Sequence, residues 1–155
     1  MDVTVALQAA IDENLTLVGG GLDWPDGGYK ITDELDIPHS AGWAMLGASR
    51  NGVEVRQYTS NKRIFRFTAA DTHTFEIRRM KLTWNTQQTT ADTGSVAFSF
   101  MADTGTPGNG FYNFEIKSIT IDKGYRCFAH DDANDAAVWG YDIDDIVGGE
   151  NMVGS

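Results

Sequence analysis

Phe75-Glu76-Ile77-Arg78-Arg79-Met80-Lys81-Leu82 is answered 39 residues later by Phe114-Glu115-Ile116-Lys117-Ser118-Ile119-Thr120-Ile121, and 27 residues after that by Tyr141-Asp142-Ile143-Asp144-Asp145-Ile146. Each phrase alternates apolar and polar residues, bends over two positions, and resumes its apolar positions beyond the bend. Two short half-buried strands joined by a bend read this way. The opening tripeptide (large apolar, polar, β-branched) also occurs as Tyr29-Lys30-Ile31 and Val53-Glu54-Val55, so five starts lie 24, 22, 39 and 27 residues apart. A strand–bend–strand unit that recurs every ~20–30 residues is the mark of a solenoid. One unit has a single apolar face and cannot bury it alone, whereas stacked units share a core. A β-sandwich is the alternative. Its hairpins have no need of the same in/out register in every unit, so the solenoid is favoured.

The rest of the chain agrees with an all-β class. Further alternating runs are Leu15–Val18, Tyr29–Ile37, Arg63–Phe67, Val96–Phe100 and Trp139–Val147. The 17 glycines against 3 prolines suit many turns between short strands and speak against a helical bundle. Helical spacing occurs only at the start, where Val3, Leu7, Ala10 and Ile11 share one face. The expected organisation is a single domain: a capping helix over 1–14 and stacked coils over 15–155. One cysteine, Cys127, excludes an intrachain disulfide framework. No apolar run approaches the ~18 residues of a membrane-spanning helix. A net charge of −10 argues against a nucleic-acid binder. The start, Met1-Asp2-Val3-Thr4, lacks the basic and apolar regions of a secretory leader.

The opening third adds a resemblance. Ala6-Leu7-Gln8-Ala9-Ala10-Ile11-Asp12 leads to Gly19-Gly20-Gly21, then to Leu22-Asp23-Trp24-Pro25-Asp26-Gly27-Gly28-Tyr29-Lys30-Ile31, Leu35-Asp36-Ile37-Pro38 and Met45-Leu46-Gly47. This resembles the entry to the right-handed single-stranded parallel β-helix of the pectate-lyase superfamily. It is most similar to the β-helical tailspikes and tail fibres of bacteriophages, and covers about the first 50 residues. The resemblance implies a pectin-lyase-like stack of about five coils, a parallel homotrimer, a place in a virion tail or outside the cell, and polysaccharide as partner. It implies neither nucleic acid nor membrane as partner. No closing cap is recognisable at Gly148–Ser155, and an open solenoid end leaves strand edges unpaired, so the expectation is either a fragment of a longer chain or an end covered by another chain. The polygalacturonase motifs Asn-Thr-Asp, Gly-His-Gly and Arg-Ile-Lys are absent from the sequence. The fold hosts lyases, hydrolases and inert shafts, so activity must be argued from residues.

If the five tripeptides stack at ~4.8 Å spacing, their outward residues form two columns. One is Lys30, Glu54, Glu76, Glu115, Asp142; the other is Thr32, Arg56, Arg78, Lys117, Asp144. The middle coils then set acid beside base. The last coil sets Asp142, Asp144 and Asp145 beside Glu115 without a nearby base in sequence, and Asp131, Asp132 and Asp135 precede it. Crowded carboxylates should have raised pKa values. Three readings follow: a solvated face, an oxygen-ligand calcium site from Asp135, Asp142, Asp144 and Asp145, and a catalytic carboxylate set of Glu115, Asp131, Asp132 and Asp142 for glycan cleavage. No other cofactor is indicated. Trp84, Tyr112, Arg126 and His130 are the candidate substrate-binding residues, because aromatic faces stack on sugar rings. They surround an insertion whose irregular parts are 85–94 and 103–110. Trp84 has a competing place in the core, and Trp139 reads as core.

Charge is segregated along the chain: −7 over residues 1–49, +5 over 50–81 and −6 over 120–150. The basic band could take an anionic polysaccharide or set side-by-side packing of subunits. His39, His73 and His130 share no metal-ligand spacing. Cys127 has no partner arrangement of a nucleophile. Gly19-Gly20-Gly21 lacks the Lys-Ser/Thr of a phosphate loop. Two functions remain: a tailspike-like module that binds polysaccharide or forms a shaft, and a polysaccharide lyase or glycoside hydrolase using carboxylates of the last coils. The unmatched catalytic motifs favour the first.

Overall fold

The computed structural model describes residues 1–38, 41–68, 72–101, 110–130, 137–149 and 152. One helix, α1 (Thr4–Leu15), precedes strands gathered into three sheets whose pairings are all parallel. The first sheet holds β1 (Gly21–Trp24), β2 (Gly27–Ile31), β4 (Ala44–Gly47), β5 (Val53–Gln57), β8 (Glu76–Trp84), β11 (Glu115–Asp122) and β14 (Asp142–Gly148). The second orders β3 (Leu35–Ile37), β6 (Phe65–Phe67), β9 (Val96–Phe100) and β12 (Arg126–His130). The third orders β7 (Thr72–His73), β10 (Gly110–Tyr112) and β13 (Ala137–Trp139). The chain visits the sheets in turn and returns to each beside the strand it left there. In the first sheet the register partners Gly21, Ala44, Glu76, Glu115 and Asp142 mark successive circuits.

The core lies between the sheets and is built from columns of like residues. Trp43, Phe75, Phe114 and Tyr141 stack in one, with ring centroids 4.7, 4.7 and 5.8 Å apart. Phe65, Phe98 and Phe128 stack in another, at 5.7 and 5.4 Å. Ile77 over Ile116, Met80 over Ile119 and Leu82 over Ile121 complete the apolar wall of the first sheet. In-register parallel pairing puts identical positions one strand spacing apart, so each column is a continuous apolar ladder.

Two rows of left-handed residues turn the chain. Thr74, Asn113 and Gly140 (φ 54°, 52° and 60°) make the corner between third and first sheet, and Arg79, Ser118 and Asp145 (φ 59°, 57° and 55°) bend β8, β11 and β14. The second row gives the first sheet two arms: β1 pairs with β4 and β4 with the part of β8 before its bend, while β2 pairs with β5 and β5 with the part after it.

That geometry corrects the expected register. The phrases at Phe75, Phe114 and Tyr141 align as expected, including Met80 with Ile119 and Ile119 with Ile146. The tripeptides at Tyr29 and Val53 belong to the other arm, where Tyr29 pairs with Val55 and Val55 with Leu82. The outward columns are therefore Ala44–Glu76–Glu115–Asp142 and Leu46–Arg78–Lys117–Asp144 on one arm, and Lys30–Arg56–Thr83–Asp122 on the other. Leu15–Val18 is not a strand, because Leu15 closes α1 and its buried side chain joins Ile11 under the helix. Trp139 is not core: β13 places it outward over Tyr112, 42% exposed.

Helix α1 covers the first circuit. The Gln8 amide donates to the Asp36 carbonyl at 2.9 Å and its oxygen accepts the Asp36 N–H at 2.8 Å, so one side chain satisfies backbone of β3 as a neighbouring strand would. Just ahead of the helix, Asp2 accepts Thr4 N–H at 2.9 Å and the Thr4 and Thr32 hydroxyls. Those bonds, Thr32 first, lower its pKa to about 2. A depressed carboxylate stabilises the fold above its ordinary pKa of ~3.9 and loses that contribution as pH falls through the folded value. Thermal melts should therefore show Tm falling between about pH 4 and pH 2, with a shallower fall in Asp2→Asn. Equal slopes would remove Asp2 from the acid response.

Candidate binding face

The arm of the first sheet before the bend carries a shallow groove of about 350 Å³ that ends at the bend, lined by residues that include Arg78, Arg79, Lys117, Ser118, Asp144 and Asp145. Three of the carboxylates expected to crowd here, Glu115, Asp142 and Asp145, are tied to cations. Glu115 on β11 lies between Arg78 and Lys117, the latter at 3.3 Å. The Arg78 guanidinium first, and then Lys117, lower its pKa. Asp142 on β14 pairs with the same Lys117. Asp145 pairs with Arg50, whose guanidinium also donates to the Asp145 carbonyl at 2.7 Å, and accepts the Ser118 hydroxyl at 2.8 Å. Arg50 and then Ser118 lower its pKa as well. The expected rise from crowding is thus reversed for Glu115 and Asp145, because Arg78 and Lys117 beside the first and Arg50, 95 residues before the second, outweigh the neighbouring acids. Asp144 is exposed and accepts the Asp145 N–H at 2.8 Å. Asp131, Asp132 and Asp135 lie outside the described residues.

Asp142 and Asp145 turn toward separate cations, and among the described residues no three His, Cys, Asp or Glu side chains are grouped to hold a metal ion. A general acid for glycan cleavage needs a raised pKa, and Glu115 has the opposite. The basic band is neutralised in the same way. Arg63 and Arg66 hold Glu34 at 3.1 and 3.2 Å, Arg66 holds Asp36 at 2.6 Å, Lys62 holds Asp33 at 2.8 Å, and Lys81 holds Glu54 at 3.1 Å.

The candidate aromatic residues divide. Trp84 is 1% exposed, with its indole N–H donating to the Lys62 carbonyl at 3.0 Å, so its ring belongs to the core and cannot stack on a sugar. Tyr112 is the middle of an outward column on the third sheet, with His73 stacked 4.5 Å away and Trp139 4.9 Å away. Both Tyr112 faces are taken, and Trp139 ends the column. Arg126 lies exposed over the Tyr125 ring at 4.8 Å. His130 falls in register with Phe100 but, at the end of β12, is exposed. There it lines an apolar cavity of about 560 Å³ with Phe100, Phe114, Phe128 and Tyr141. Sequence reasoning missed the binding surface of Trp139 and Tyr141, which are 42% and 55% exposed. Trp139 is exposed because β13 turns it outward, whereas Tyr141 continues the Trp43–Phe75–Phe114 core column and is exposed by its place in the last circuit. Burial raises the Cys127 thiol pKa, as in an unreactive cysteine.

No protein family profile matches the chain, and no curated protein matches it. Among solved structures, the chain is similar to the ORF18 protein of Geobacillus virus E2, with a TM-score of 0.53 and 18% sequence identity. The alignment covers 79% of this chain and 25% of that one, so the chain spans about a quarter of that protein's length. At this identity the likeness carries the fold. Among the described residues no helix is long and apolar enough to cross a membrane.

Proposed function

We propose that the chain is a right-handed parallel β-helix of a phage tail protein, and that it holds cell-surface polysaccharide without cleaving it. Three parallel sheets revisited in the same order, the third from β7 onward, support the solenoid, and parallel crossovers are right-handed in almost every known case. The likeness to a viral protein supports the phage setting. The observation that carries the binding role is the outward column His73–Tyr112–Trp139, which ends in a half-exposed indole. An indole beside polar surface is a good platform for a sugar ring. The ion-paired state of Glu115, Asp142 and Asp145 favours binding over hydrolysis. The virion tail is the proposed location and a parallel homotrimer the proposed assembly.

The test is a glycan array with reducing-end detection on the bound hits. Binding without new reducing ends is expected, and Trp139→Ala should weaken it about tenfold, the worth of one stacked ring. Product release that disappears in Asp142→Asn would replace this reading with the enzymatic one. A monomer mass by light scattering would remove the trimer.

A further inference from the structure

The other arm of the first sheet carries a hollow of about 250 Å³ lined by Gly28, Tyr29, Lys30, Glu54, Arg56 and Tyr58. Its floor exists because Gly28 faces Glu54 in register and has no side chain; a Cβ there would meet nothing within 4 Å. Lys30 and Arg56 are direct register partners, so two cations stand on adjacent strands. Like charges in that position oppose pairing. Elsewhere on this sheet the outward bases Arg78, Lys81 and Lys117 are joined to carboxylates, and Arg56 is joined to Glu54. Among the described residues Lys30 forms no ion pair. Its ammonium instead sits 4.5 Å from the centroid of the Tyr58 ring, and that ring is 40% exposed.

The charges around the hollow are Lys30, Arg56 and Lys81 against Glu54, which Arg56 and Lys81 already hold. Asp2, ionised and hydrogen-bonded to Thr4 and Thr32, lies near Lys30, and Asp26 lies near Tyr29. Within the lining itself, Lys30 and Arg56 outnumber Glu54 by one positive charge beside an aromatic surface, in a space the size of one sugar ring. We propose that this hollow binds one carboxylate-bearing pyranose of a glycan, with Lys30 and Arg56 receiving the carboxylate and Tyr58 packing on the ring. The site is separate from the Trp139 column and does not rest on it.

Isothermal titration of the full chain with glucuronic acid oligosaccharides, glucose oligosaccharides and inorganic sulfate tests the assignment. The acidic oligosaccharide should bind at least about tenfold more tightly than the neutral one, the worth of one charge-assisted contact. Lys30→Gln and Tyr58→Ala should each erase that preference or weaken binding by about the same factor, with the far-UV circular dichroism spectrum of the folded protein retained. Equal binding of glucose oligosaccharides, sulfate binding as tightly as the sugar, or full binding by Lys30→Gln would each overturn it. Binding lost in Trp139→Ala but retained in Lys30→Gln would overturn this site and leave the aromatic column standing.

Discussion

Phe75→Ala should cost the protein about 3–5 kcal/mol of stability, the largest loss expected from any single truncation here. Phe75 is 2% exposed and sits where two columns meet. Trp43 stacks on one side at 4.7 Å and 10°, Phe114 on the other at 4.7 Å and 2°, and Phe67 approaches from the second sheet at 5.3 Å. Removing the ring therefore opens a cavity that no neighbour can close without leaving its own column. Phe75→Leu separates the two contributions. It keeps most of the volume and loses the stacking, for which ~0.5–1.5 kcal/mol is the ordinary range. Urea unfolding of the three proteins measures both. A loss below about 1.5 kcal/mol for the alanine variant, the range of a volume-conserving core exchange, would mean that the stack tolerates a gap and is not a continuous core.

The positions of these rings were legible before the structure because a parallel stack writes the same phrase at the same place in each circuit. Phe75, Phe114 and Tyr141 open three such phrases, and all three pair in register. The phrases at Tyr29 and Val53 misled for a physical reason. Both arms of a bent sheet have a period of two and one apolar face, so the same tripeptide satisfies either. Only the left-handed residue between the arms distinguishes them, and of Arg79, Ser118 and Asp145 only the last is a residue type that favours positive φ. The charge pattern was legible as composition and misleading as chemistry. Counting along the chain isolates a basic middle from acidic ends. In the fold, the middle circuits lie between those ends, so Arg66 meets Asp36 from the circuit before and Arg50 meets Asp145 from 95 residues later. The Asp145 carboxylate, which in sequence has only acids for company, is the one with a base and a hydroxyl on it.

Gly47→Ala should cost about 3 kcal/mol, at the upper end of what overpacking usually does, though the substitution adds a single methyl group. Gly47 ends β4 where Arg79 turns β8, and a Cβ on it would lie 1.8 Å from the Arg79 carbonyl oxygen, which belongs to the backbone. No rotamer relieves that overlap; either β4 or the bend must move. The bend is one of three stacked left-handed residues, with Ser118 and Asp145 following it. Displacing Arg79 would therefore carry strain into the Ser118–Asp145 hydrogen bond and the Arg50–Asp145 pair. Gly42→Ala is the matching control. There φ is +71° but the nearest atom to a Cβ is 3.6 Å away, so the cost is backbone strain alone, about 1–2 kcal/mol. If close approach sets the requirement for glycine at position 47, its alanine variant unfolds at lower denaturant than the Gly42 variant. The Arg50–Asp145 contact should also loosen in the first protein and not in the second, read as a smaller salt dependence of Tm. The reverse order of stabilities would show that the bend in β8 yields to β4, and that the groove beside Asp145 is not held in place by the strand before it.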